Sequence, residues 1–442
     1  MSWKTNLTIR WLLSELNKWL DDGLINEKQA ELIRGRYEVE EVRPWGKIIF
    51  TGIGAVLFGL GVILFFAYNW DAIPKFVKLA LVFLMFGAAH GAALYFKQKE
   101  NKAGLSEGLF ILGSMLFGAA IWLIAQIYHI DEHYPNGLLV WGIGALILAW
   151  SLSSIPQCIL ALIILSFWHF FEVAEFSHVL HFTPVLILIF TLPLAWIKKS
   201  RVLLSTVLIA AVFSHLINIA ELEGFVFMHL FYIVSLLLVI FFILNENKKL
   251  HEIISGLYFV GILPYYFMLY FFTFTDTCKW FIISPDISDL TIYYNIVFLC
   301  LIIISIVLWI IRIVKLRTWE KLRNEQGVII LSIFVISIMF FFIVYGKINE
   351  YEFDLLNRYS LAGLFNILLL LNSISLISEG IKRLSAKRVT MGVVFIALLA
   401  FSRYADLFES LMTRSIIFLI IGGFIFGIGI FYNRHKRNLE VK

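Results

Sequence analysis

The sequence predicts an all-α fold, a polytopic integral membrane bundle, on three observations. Mean hydropathy is +0.87 over 442 residues, with 60% hydrophobic and only 15% charged side chains. A water-soluble chain has no interior large enough for that much apolar surface, whereas a bilayer accepts it. The apolar residues fall in runs of about 20, the length that crosses hydrocarbon, separated by short polar hinges. Lysine and arginine collect in alternate hinges, as expected of a chain that threads the membrane repeatedly.

Residues 1–47 are the only extended polar stretch. Trp11, Leu12, Leu16, Trp19 and Leu20 recur at helical spacing, and Gly23 suits a left-handed helix stop. Asn26 with Gln29 three residues on reads as a capping box, opening a second helix through Ile33 and Tyr37. The head is therefore a short cytoplasmic helical hairpin. It either packs on the membrane surface or docks a cytoplasmic partner through Trp11 and Trp19. Pro44-Trp45-Gly46-Lys47 marks the entry into the membrane.

From there about fourteen transmembrane helices are expected: 48–68, 77–96, 107–127, 137–153, 155–174, 182–197, 202–220, 225–244, 251–273, 291–311, 327–346, 360–378, 389–405 and 414–432. They divide into a membrane core over 48–153 and a remaining multi-span region over 154–442. With the N-terminus inside, the cytoplasmic hinges and tail take Lys97, Lys99, Lys102, Lys198, Lys199, Arg201, Lys248, Lys249, the cluster from Arg312 to Arg323, and the basic residues at 382–388 and 434–442. The opposite hinges keep few: Lys75, Lys78, Lys279, Lys347, Arg358, Arg403 and Arg414. This bias predicts an even number of spans with both termini in the cytoplasm. Arg403 and Asp406, three apart in an outer turn, form a candidate structural pair.

The net charge of +5 is modest and follows no soluble face, which excludes nucleic acid as a partner. Cys158, Cys278 and Cys300 have no paired spacing, so neither a disulfide framework nor a zinc ribbon is expected. The first 45 residues lack the short apolar run of a cleavable leader. No phosphate-binding loop, dinucleotide fingerprint or nucleophile elbow is present.

The outer hinges differ from the inner ones. Tyr128-His129-Ile130-Asp131-Glu132-His133-Tyr134-Pro135-Asn136 is a polar knot between two apolar runs, and Glu172, Glu175, His178 and His181 follow in the next outer hinge. Residues 129–133 fit the H-x-x-E-H pattern of inverted zinc proteases, which needs both histidines on one helical face. Pro135 argues that a helix ends here instead, making the knot a hydrated turn. A divalent metal would draw on His129, His133, Glu172 and His178; beyond that metal, no cofactor is expected. Acids also collect in outer hinges simply because basic residues are excluded there. Polar residues at membrane depth add His90, Gln126 and His169, along with His215, Asn218 and His229. Such groups in lipid either line a functional path or hydrogen-bond neighbouring helices. The candidate polar path is His90, Gln126, His129, Asp131, Glu132, His133, His169 and Glu172.

The head LLSELNKWLDDGLINEKQAELIRGRY, the stretch AQIYHIDEHYPNGLLVWGIGALILAW and the closing hairpin from Phe401 to Arg437 resemble an uncharacterised family of bacterial predicted membrane proteins, domain of unknown function 2157. The resemblance is specific over residues 11–153. It implies a prokaryotic inner (plasma) membrane location and brings no activity with it.

These readings favour a non-enzymatic, transporter or permease-like carrier of a small or lipid-linked solute. The alternatives are an envelope metal-dependent membrane enzyme using the outer His/acid cluster, and a membrane scaffold or sensor whose head recruits a cytoplasmic protein. The partners this composition allows are the lipid bilayer, a second copy of the chain and that cytoplasmic protein.

Overall fold

The computed structural model describes residues 12, 15–16, 18–20, 22–36, 53–54, 57, 61, 74–99, 102–130, 133–220, 223–245, 250–283, 292–315, 324–348, 358–406 and 423. The described residues form helices and short connections, with no strand among them. The chain divides into two compact units, residues 1–129 and 130–442.

In the first unit the capping box forms as the sequence predicts. Gln29 N–H donates to Asn26 Oδ1 at 2.9 Å, and Asn26 N–H donates to Gln29 Oε1 at 3.1 Å. This opens α1 (Glu27–Arg36), and Gly23 before it takes a φ of 72°. Helices α2 (Lys75–Lys97) and α3 (Ala103–Tyr128) pack as a hairpin. Ser106 Oγ donates to the carbonyl of Ala93 across them at 2.8 Å. His90 faces Gly113, where an added Cβ would lie 2.2 Å from the imidazole. Its Nδ1 donates to the carbonyl of Phe86 at 3.1 Å. His90 is thus a helix-packing residue whose polar edge is turned onto its own helix.

The second unit holds α4 (Pro135–Leu152), α5 (Ile155–Ala174), α6 (Thr183–Ile197), α7 (Arg201–Asn218), α8 (Glu223–Leu244), α9 (His251–Phe271), α10 (Thr275–Ile283), α11 (Ile292–Lys315), α12 (Glu325–Ile348), α13 (Arg358–Lys382) and α14 (Ala386–Asp406). Consecutive helices pair: α4 with α5, α6 with α7, α8 with α9, and α13 with α14. The tight hinges explain this. Ser153 takes a left-handed φ of 50°, and Ser154 caps α5 by accepting from Gln157 N–H, so the chain reverses within two residues. Ser200 caps α7 the same way.

One apolar core lies among α4, α5, α6 and α7 around Leu162, Leu194 and Val207. A larger aromatic core joins α8, α9, α11, α12 and α13 around Tyr265, Phe272, Trp309, Phe340 and Phe365. Three polar side chains inside it join α9, α13 and α12: Tyr265 O–H donates to Asn372 Oδ1 at 3.2 Å, and Asn372 Nδ2 donates to Ser332 Oγ at 2.8 Å. Burial pushes the Cys278 thiol up to about 12, and Sγ donates to the carbonyl of Phe272. Arg403 donates to the carbonyl of Thr273 at 2.8 Å; the side chain of Asp406, its candidate partner from the sequence, lies outside the described residues.

Among the described residues, eight helices are long and apolar enough to cross a membrane: α2, α3, α4, α5, α7, α8, α9 and α13. The chain is a multi-pass membrane protein with an all-α fold. The count of about fourteen is finer than this. Helix α6 has 15 residues, about 22 Å of rise against roughly 30 Å of hydrocarbon. The expected spans at 48–68 and 414–432 fall outside the described residues except for isolated positions.

Gly392 on α14 lets the backbones of the last described hairpin approach. A Cβ there would stand 2.7 Å from the carbonyl oxygen of Ser373 and 2.7 Å from Ile377. Gly392→Ala should therefore destabilise the protein by about 1–3 kcal/mol, the usual cost of overpacking. Gly363→Ala, with nothing within 4 Å, should be neutral or slightly stabilising. Thermal denaturation of the two variants in detergent compares them directly.

Candidate functional site

Helix α3 stops at Tyr128, and His129 leaves it with a left-handed φ of 53°. Helix α4 starts six residues later at Pro135, whose fixed φ suits a first helical position. His129 and His133 therefore do not share a helical face, the premise of the H-x-x-E-H reading. His133 and Tyr134 instead form the turn that leads into α4.

At the far end of the α4–α5 hairpin, the last turns of α5 present Trp168, His169 and Glu172. Residues 168 and 172 are four apart and residues 169 and 172 three apart, so each pair shares a face. Beyond α5 the chain curls back on itself. Ser177 takes a φ of 55°, and the amide of His178 donates to the carbonyl of Glu172 at 2.9 Å. That curl brings the His178 ring over the carboxylate of the residue whose carbonyl it has just met.

Three side chains converge. His133 Nε2 donates to Glu172 Oε1 at 2.8 Å, and His178 Nδ1 donates to Oε2 at 3.1 Å. An ionised carboxylate only accepts, so each imidazole carries its proton on the nitrogen that faces Glu172. Trp168 Nε1 donates to Oε1 as well, at 3.1 Å. The Glu172 side chain is 6% exposed, that of His133 25% and that of His178 60%, so the cluster is buried on one side and wet on the other. Phe176 sets its edge against the His133 ring at 4.2 Å between centroids. Tyr134 donates to Glu175 alongside. Loss of solvent first, and then the Glu175 carboxylate, push the Tyr134 phenol up to about 12, so it remains a donor throughout the neutral range.

The ligand atoms of His133, Glu172 and His178 all lie within 4.8 Å of one another. Two imidazoles and a carboxylate suit a divalent transition metal, and a metal in that place would displace the two facing N–H protons. One turn deeper, His169 is fully buried and belongs to a different contact. Asn218 at the end of α7 donates from Nδ2 to the carbonyl of Leu180 at 3.0 Å and accepts from Leu180 N–H at 3.3 Å. That pair fixes the amide orientation, so Oδ1 faces His169 and accepts from Nε2 at 2.9 Å. His169 and Asn218 thus pin α5, α7 and the 175–182 curl together beneath the cluster. Farther along, the His215 and His229 rings lie 5.2 Å apart, and His229 Nδ1 donates to the carbonyl of Phe225.

Of the residues the sequence offers, the structure brings together His133, Glu172 and His178, with His169 one turn below. His90, Gln126 and His129 belong to the first unit, where Gln126 and His129 are exposed. Asp131 and Glu132 lie outside the described residues. Trp168 is a member that sequence reasoning missed. Its signal was present: an indole donor four residues before a carboxylate at the end of a span.

Asn218→Ala should lower the unfolding temperature in detergent, at a cost of about 1–3 kcal/mol. It strips partners from the buried N–H of His169 and from both backbone groups of Leu180. Gln126→Ala, at an exposed position, should change it little.

No curated protein and no solved structure matches the chain. A family model does: residues 17–157 match the one described as Predicted membrane protein (DUF2157), so the family resemblance carried by the head and the polar knot holds over that stretch.

Proposed function

We propose that this multi-pass membrane protein is a non-enzymatic carrier of the bacterial inner membrane that recognises a divalent transition-metal cation at His133, Glu172 and His178. The observation that supports this reading is the convergence of the three ligand atoms within 4.8 Å, from two sequence-distant hinges. A carboxylate at the end of a membrane span is costly to keep unless it does something there, and a cation is the partner its two imidazole neighbours suit best. The distribution of lysine and arginine favours cytoplasmic termini and, with them, an outer-face position for this cluster, where a cation would arrive.

A second reading, a metal-dependent membrane enzyme, draws on the 60% exposure of His178. A metal held by two histidines and one glutamate with water at an open position is also the arrangement of hydrolytic zinc sites.

Metal analysis of the purified protein, followed by zinc uptake into proteoliposomes, tests the proposal. One bound metal per chain and zinc influx, both lost in His133→Ala with His178→Ala, is the expected result. Metal binding without flux, accompanied by metal-dependent hydrolysis, would favour the enzyme. A protein that binds no divalent metal would end both readings.

A further inference from the structure

Resting on the cation site proposed above, the geometry points to Trp168 as its specificity-determining residue. We propose that the Trp168 indole holds Glu172 to a single coordinating oxygen, and so restricts the site to a four-coordinate cation of the zinc and cobalt class against calcium and magnesium.

The argument follows from what each donor can give up. Glu172 Oε1 accepts from His133 Nε2 and Trp168 Nε1, while Oε2 accepts from His178 Nδ1. A neutral imidazole can carry its proton on the other ring nitrogen instead, which turns the facing nitrogen from a donor into a metal ligand. The indole cannot: Nε1–H is its only polar group and only donates. When a cation enters the cluster, both histidines can change role, whereas Trp168 keeps its claim on Oε1. The carboxylate cannot easily swing free, because its side chain is 6% exposed. Oε1 then shares its electron density with the indole, whereas Oε2 loses the His178 donor, so Oε2 is the better ligand and binding through both oxygens is disfavoured.

Two imidazole nitrogens and one carboxylate oxygen, with water completing the set, make a tetrahedral site. Calcium takes six to eight oxygen ligands, commonly with carboxylates bound through both oxygens, and magnesium demands near-octahedral oxygen coordination. Neither finds that set here. Trp168 touches no metal, so it is a positioning residue: it acts by deciding how Glu172 binds. Outer-shell partners of this kind typically change metal affinity 10–100-fold.

The test uses the full-length protein in detergent and cobalt as the probe. Four-coordinate cobalt absorbs intensely in the visible, and six-coordinate cobalt weakly. Wild-type protein should give the intense spectrum and keep it in millimolar calcium or magnesium. Trp168→Phe keeps the ring and removes the donor. It should bind cobalt about 10–100-fold more weakly, shift the spectrum toward the weak form, and lose cobalt to calcium. Trp168→Phe with the wild-type spectrum and wild-type selectivity would overturn the inference while leaving the site intact. Wild-type protein that binds no cobalt would overturn the site itself, and this inference with it. Should the variant fail to fold, the infrared carboxylate stretches of cobalt-loaded wild-type protein decide the matter. Widely split bands mean one coordinating oxygen, as expected, and narrowly split bands mean chelation and overturn the inference.

Discussion

The carboxylate of Glu172 closes a membrane-crossing helix where water is scarce, and it accepts three N–H donors from three places in the chain: the turn before α4, the body of α5 and the curl after it. A charged group near hydrocarbon is expensive unless it is paired, so this contact constrains everything around it. It ties the turn before α4 to the last turn of α5, at the end of the hairpin opposite the Ser153–Ser154 hinge. It also explains why the chain does not leave α5 in an open loop. The left-handed Ser177 turns His178 back toward the same carboxylate.

The layer beneath follows from the same rule. His169 sits one turn deeper on α5 and is fully buried. Its N–H goes to Asn218, and Asn218 is itself held by both backbone groups of Leu180. The result is a rigid floor under a cluster whose upper side meets water. Elsewhere in the second unit, Tyr265, Asn372 and Ser332 bond one another within the bundle.

Much of the fold was legible in the sequence because the bilayer imposes simple rules. Apolar runs became helices, and Asn26 with Gln29 formed the predicted box. Pro135 was expected to end a helix and instead begins α4; what separates His129 from His133 is the left-handed end of α3. The span count was less legible, since hydropathy treats a 15-residue helix such as α6 like a full crossing. The site was half legible. His133, Glu172 and His178 were visible as residue types in outer hinges, but their meeting depends on the left-handed turn at Ser177, which no glycine marks. For His90 the sequence left packing and function open, and the structure sets its ring against Gly113, a contact between two helices that spacing along one helix cannot reveal. Trp168 does not stand out in an apolar span, because its role lies in a single N–H.

The central claim is that the histidines of two separate hinges and the carboxylate between them form one coordination sphere. X-ray absorption at the zinc edge of the zinc-loaded protein examines that sphere directly. Two imidazole nitrogens and a carboxylate oxygen at about 2.0–2.1 Å are the predicted result. A shell of oxygens alone, with no imidazole scattering, would mean that zinc sits elsewhere and that Glu172 gathers its donors only to hold the helices together.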